Sequence, residues 1–429
     1  MLSVPLGAAG AAAPAEPPRA HDAHLGVATC AGSACHGGAK LSGTHIRQDE
    51  YLTWQRQDRH AQAYATLRSE ASRRIAANLA LGEPTTAPAC LTCHADDVPG
   101  AQRGARFQVS DGVGCEACHG AAERWLAPHA RGYASHRDRI KDGLYPTWQP
   151  RERAQLCLAC HQGDAAHPMT HAIMGAGHPP LLFELDTFML LQPMHAEFDA
   201  DYAQRKGAPD DARNWTVGQV MAARGLLAGV AAAGGDGALF PELAWFDCNA
   251  CHHAMQPPRW QAGIDTGLPP GRPRLADAAL YFTALWLDAA APPLAAKWRE
   301  AVTAVHAASL RTPADLRARA QAAIELLDAS LLPLVQSHAN TPAELRKLVL
   351  AIADTGAGPR SADFSVAEQS AMATGVLVTA LQGSGKAPKK LNEAVDAVYA
   401  AVAKREAYDP AAMRRALNQV REEIAKAYP

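Results

Sequence analysis

The chain has 429 residues, 48% of them apolar and 20% charged, which excludes a disordered chain and leaves room for two or three domains around at least one sizeable core. Lysine and arginine number 41 against 43 aspartates and glutamates, so the formal charge of -2 excludes the global basic field that holds nucleic acid by its phosphates. Against that ordinary background stand 10 cysteines and 18 histidines.

The first twenty residues contain a small-residue stretch with a cleavage-like segment around Ala11 to Ala15 and no basic start, so residues 1–20 read as a leader remnant or a disordered beginning. Every cysteine that follows belongs to a pair, and a histidine comes directly after each pair. The pairs are Cys30/Cys35 before His36, Cys90/Cys93 before His94, Cys115/Cys118 before His119, Cys157/Cys160 before His161, and Cys248/Cys251 before His252. Four CxxCH motifs and one CxxxxCH motif that consume every cysteine point to covalent attachment of five c-type haems. Two thiols add to the porphyrin vinyl groups, and the following imidazole reaches iron from the proximal side. Disulfides do not require a histidine after each second cysteine, and structural zinc needs closed sets of four ligands.

This attachment chemistry belongs outside the cytoplasmic membrane, so the expected compartment is the periplasm. With no run of eighteen apolar residues, no membrane span is expected. The motifs divide the chain into a pentahaem cytochrome c domain over 21–262 and a cysteine-free α-helical domain over 263–429. Between the motifs the pattern reads as short helices and irregular loops, with little regular sheet. Asp49 to Leu81 fits one or two amphipathic helices.

From Ala276 the texture becomes alanine- and leucine-rich with helical periodicity. Helices are predicted over Ala276 to Ala289, Leu294 to Leu310, Pro313 to Gln336, Pro342 to Asp354, Ser365 to Leu381, Leu391 to Val402, and Pro410 to Ala427. Pro333 should kink or end the third. Thr312-Pro313 and Thr341-Pro342 place a capping threonine before proline at the first helical position, with Asp315 and Glu344 at the capping-box position. The predicted class is mainly α, a multihaem domain followed by a helical bundle.

Five proximal histidines leave the others as a supply for the opposite faces of the irons. His60 lies among Trp54 and Tyr64, His129 follows Trp125 and Pro128, and His171 and His178 flank a Met-Gly-Ala-Gly turn. These four are the first-choice distal ligands. His24, just before Cys30, and His195, after Pro193-Met194, are the next; His45, His136, His167 and His253 follow. A second imidazole gives a low-spin iron suited to electron transfer, a methionine would raise its potential, and an open position admits a small molecule.

Three stretches carry a resemblance: Gly112 to Gly120 around the third motif, Trp54 to Tyr64, and Met169 to Glu184. Over roughly residues 24 to 260 they resemble bacterial multihaem cytochromes of the cytochrome c554 family. The resemblance implies closely stacked haems forming an electron path, distal histidines remote from their own motifs, and a distal role for His60, His129, His171 and His178. That family's type member has four haems, one with an open axial position, whereas five motifs occur here. No CxxCK is present, so the lysine-ligated haem of related nitrite reductases is not expected.

The function expected is electron transfer through bis-histidine haems between redox proteins acting as donor and acceptor. Those partners extend to a membrane-associated complex or a second copy of the chain; nucleic acid is not among them. The alternative is an oxidoreductase acting on a small nitrogen or sulfur compound at one open haem.

Overall fold

A computed structural model describes residues 22–39, 47–132, 136–232, 242–252, 268–269, 272–356, 358–383 and 388–428. The expected leader, His45 and His253, and the side chain of His136 lie outside the described residues. Among the described residues the regular structure is helical, with irregular loops and no β-sheet; the only strand-like features are isolated bridges between His24 and Arg103 and between Phe246 and Leu275.

The motif-bearing part is built of short helices because capping side chains and proximal turns interrupt it repeatedly. The expected amphipathic stretch is four pieces: Glu50–Gln57, a 3-10 turn over Arg59–Gln62, Ala63–Thr66 and Glu70–Asn78. Asp58 ends the first piece by accepting the His60 backbone N–H, and Ser69 opens the last by accepting from Ser72. Periodicity alone does not reveal such breaks, since a capped restart preserves the apolar face.

One long helix, Asp211–Ala232, was not anticipated by sequence periodicity. Trp215, Val217, Val220, Ala223 and Leu227 are all fully buried, so apolar residues occupy most of its circumference and no single stripe stands out. It packs on Pro150–His161, the helix that ends in the fourth motif, and Gln162 Nε2 donates to the Ala222 carbonyl at 2.9 Å. Gly218 allows the close approach of Leu185, whose Cβ would lie 2.8 Å from an added methyl group. The same helix packs against the C-terminal helices, so one apolar core runs from Ala154 and Leu158 of the fourth motif's helix to Ile424 near the C-terminus.

The C-terminal part consists of helices Ala278–Ala290, Pro292–Ala308, Pro313–Leu326, Leu332–Ser337, Pro342–Thr355, Phe364–Gln382, Lys389–Ala401 and Pro410–Ala427. Pro333 neither ends nor breaks the third. Instead the residues before it, Leu327–Leu331, widen into a π-helical turn, and the helix resumes with proline in its first turn, where its missing N–H is harmless. Phe364–Gln382 is long and apolar enough to cross a membrane by length and composition, but 67% of its apolar window is buried among the other helices.

At Thr341 the reciprocal capping box is complete: its hydroxyl accepts from the Glu344 N–H, and the Glu344 carboxylate accepts from the Thr341 N–H at 2.7 Å. At Thr312 only the threonine half forms, accepting from Asp315 at 3.1 Å. Thr341→Ala is therefore expected to cost about 1 kcal/mol in urea unfolding of the holoprotein, and a midpoint equal to that of the parent would exclude the cap's contribution.

Candidate metal centre

Three of the motifs are short helices or helix ends: Pro88–His94, Cys115–His119 and Pro150–His161. Helical spacing puts the two thiols, three residues apart, on one face, and the histidine, four beyond the first cysteine, on the same side. The fifth motif closes as a 3-10 turn over Cys248–Ala250, with the His252 N–H bonded to the Cys248 carbonyl at 2.7 Å. In the longer first motif the His36 N–H likewise returns to the Cys30 carbonyl, at 3.2 Å. The two additional residues are absorbed by a turn in which the Cys35 and Gly37 N–H groups both donate to Gly32. A side chain at Gly37 would meet the Ala31 carbonyl oxygen at 2.1 Å, so the turn requires glycine there.

Four of the five motif histidines face a second imidazole. His36 and His129 lie with ring centres 5.9 Å apart, His60 and His161 at 6.1 Å, His94 and His178 at 6.3 Å, and His171 and His252 at 6.2 Å. An iron held between two imidazoles needs about 2 Å to each nitrogen and half a ring beyond, roughly 6 Å between ring centres. The spacing therefore fits a metal seated between the rings of each pair. The second members are the four histidines singled out from their local sequence, each brought in from a segment far from the motif it faces.

Hydrogen bonds on Nδ1 fix these rings, and almost none of them could be read from the motifs. His36 Nδ1 bonds Glu50 Oε2 at 3.0 Å, His60 Nδ1 bonds Asp58 Oδ1 at 2.9 Å, His94 Nδ1 bonds the Ala63 carbonyl at 3.0 Å, and His178 Nδ1 bonds the Pro179 carbonyl at 2.8 Å. A partner on Nδ1 fixes the tautomer and leaves Nε2 with a lone pair for metal. The only readable hint was the placement of Asp58 two residues before His60. Gly112, at φ 77°, lets the segment before Cys115 approach so closely that a Cβ would sit 2.7 Å from the His60 carbonyl, to which Val113 N–H donates at 3.1 Å.

Burial acts in the same direction. It pushes His161 down to about 4, aided by His60, and lowers His94 and His129 as well, so these rings are neutral near pH 7 and can donate to a metal. His36 is raised instead, chiefly by its hydrogen bond to Glu50.

His119 differs. Burial, then the charges of His195 and Lys206, lower it to about 4, but among the described residues no second imidazole ring stands against it. His195 is held beside Asp58, with Nε2 3.4 Å from Oδ2. His24 is buried, with Nδ1 on Asp96 Oδ2 at 2.7 Å and its edge toward Phe107; His167 is buried on Asp164 at 2.7 Å. Met174 and Phe183 line a cavity of about 190 Å³ between His161 and Cys248, which Glu368 and Arg405 close from the C-terminal helices.

No disulfide joins any of the ten cysteines, and among the described residues no three of His, Cys, Asp and Glu gather as a metal site of the structural-zinc kind. The thiols meet across motifs instead. Cys30 is hydrogen-bonded to Cys115, which lowers the Cys30 thiol, and a bond to Cys160 brings Cys93 down to about 7. Burial pushes Cys118 up to about 12, and Cys157 adds to the shift.

With the helical fold, a family match over part of the chain supports a haem-binding protein of redox type in general terms. The family is that of cytochrome c554 and c-prime, and the matched residues, 29–120, span the first three motifs. No curated protein and no solved structure matches the chain.

Proposed function

We propose that the chain is a periplasmic cytochrome with five covalently attached haems, passing electrons between redox partner proteins. The observation that carries this reading is the set of four imidazole pairs at 5.9 to 6.3 Å, each containing one histidine of a cysteine motif. Bound there, haem c supplies a one-electron iron couple. The cysteine pairs would anchor the rings, four of the motif histidines and the imidazoles facing them would ligate from both sides, and Glu50, Asp58 and two carbonyls hold the imidazoles in orientation.

Neighbouring motifs supply a path. Cys30 touches Cys115, Cys118 lies within electrostatic reach of Cys157, Cys160 bonds Cys93, and His171 and His178 sit on one short segment facing the fifth and second motifs. This supports a sequence of sites from His36 through His119, His161 and His94 to His252, which differs from chain order. Transfer along it depends on ring edges being held close and rigid, not on acid–base groups.

The solitary ring of His119 supports a second reading at that site alone, in which a small nitrogen or sulfur compound binds the face opposite His119, near His195 and Lys206. Electron paramagnetic resonance of the oxidised holoprotein, with haem quantification, separates the two. Five low-spin centres support the carrier. A high-spin centre altered by nitrite, hydroxylamine or nitric oxide supports chemistry at His119, and fewer than five haems per chain sinks the pentahaem reading.

A further inference from the structure

The fifth motif is bound to the C-terminal helices more closely than attachment of a ring requires. The strand-like segment before it pairs with the entry to those helices: Asp247 N–H donates to the Arg274 carbonyl at 2.9 Å, and Ala276 N–H to the Trp245 carbonyl at 2.9 Å. Beneath this staple lies a cluster of charges, all nearly inaccessible to solvent. Arg274 Nη2 bonds Asp363 and lies 3.3 Å from Asp247 Oδ2, while its Nε lies 3.8 Å from Asp277. Arg360 clasps Asp277 through two bonds of 2.9 and 3.1 Å, and His306 Nε2 is 3.5 Å from the same carboxylate. Asn249, between the two cysteines of the motif, donates to Asp363 Oδ1 at 3.0 Å. From another helix end Arg405, paired with Glu368 at 3.1 Å, reaches the neighbourhood of Cys248.

Charges buried this deeply are expensive, and an apolar contact would hold the segment at lower cost. Their field also falls off slowly, because little water screens it. We propose that the helical domain sets the reduction potential of the iron held at His252, through the Asp277, Arg274, Arg360 and Asp363 cluster clamped to the Cys248–His252 segment. This rests on the reading that a haem is attached at Cys248 and Cys251. Reduction adds one electron and removes one positive charge from the iron, so a buried carboxylate favours the oxidised state and a buried guanidinium the reduced one. Asp277 and Arg274 are thus positioning residues with opposite electrostatic effects.

The test is a mediated potentiometric titration of the holoprotein with dithionite, followed by paramagnetic resonance. Asp277→Asn is expected to raise the potential of one haem and Arg274→Gln to lower it. Each changes that haem's oxidised-to-reduced ratio at fixed solution potential about tenfold, which is about 59 mV for one electron. The other four haems should not move. Shifts in the same direction, or no shift, overturn the proposal. The double variant Asp277→Asn/Arg360→Gln removes opposite charges together and is expected to return to the parent potential; a shift as large as that of Asp277→Asn would reveal a purely structural effect. If either single variant does not accumulate, Asp363→Asn decides in its place: it is expected to raise the same potential, and an unchanged potential overturns the proposal. The underlying assignment is tested separately: Cys248→Ala/Cys251→Ala should lose one haem per chain by pyridine haemochrome, and an unchanged count removes the haem from this site whatever the potentials do.

Discussion

Replacing His60 with alanine is expected to turn one low-spin ferric centre of the holoprotein high-spin and to leave the others as they are. His60 is the ring across from His161, and among the described residues no other imidazole stands in ring contact with His161. Under the proposed ligation the substitution removes a strong axial ligand while Asp58, which held it, keeps Gln192 at 3.0 Å. The effect is large because it is a change of spin state and not a shift in strength: the altered centre should acquire affinity for nitric oxide or cyanide that the parent site lacks. His129→Ala, His171→Ala and His178→Ala should each do the same at a different centre. His338→Ala, on a histidine that bonds Glu344 at 3.2 Å in the helical region, serves as the control. Unchanged resonance spectra on loss of His60 would falsify its assignment as a ligand.

The second large effect belongs to a carboxylate within the third motif. Glu116, between Cys115 and Cys118, is buried and accepts three backbone N–H bonds, from Leu25 and Ala122 at 2.8 Å and from Gly26 at 2.7 Å. Leu25 and Gly26 lead directly into the helix Val27–Cys30, so this one side chain ties the first motif to the third. Glu116→Ala leaves three amide donors short of a charged acceptor, and hydrogen bonds to charged groups are worth about 1.5 to 3 kcal/mol each before relaxation. Loss of more than about 3 kcal/mol is expected in denaturant unfolding followed by far-UV dichroism. Glu116→Gln, which keeps one acceptor oxygen, should lie between. Equal midpoints for parent and alanine variant would show that the three donors find other partners.

The helical class and the C-terminal helices were legible because alanine- and leucine-rich runs follow capping residues such as Thr312, Thr341, Asp363 and Asp409. Asp211–Ala232 lies outside that stretch and, enclosed on nearly all sides like Ala278–Ala290 and Phe364–Gln382, has no polar face to set the period. The motif residues could be read from spacing alone, for covalent attachment is local chemistry. Which histidine faces which motif could not, because those contacts join segments remote in the chain and depend on Asp58, Glu50 and Gly112 holding the backbones together. The helical domain's connection to the fifth motif was equally hidden: Asp247, Asp277, Arg274, Arg360 and Asp363 look like ordinary surface charges in a sequence and are buried in the fold.

The pairing of imidazoles also bears on how the chain matures as it emerges from its N-terminus. His161 and His252 find their facing rings, His60 and His171, already made when their own motifs appear. His36 and His94 have no such partner waiting; theirs, His129 and His178, arrive later. Under the proposed ligation, the first two haems to be attached would spend part of their assembly with one face uncovered, while the fourth and fifth would close on arrival. Emergence of His178 would then complete the second site at the moment when the segment beside it, bearing His171, is still awaiting the last motif.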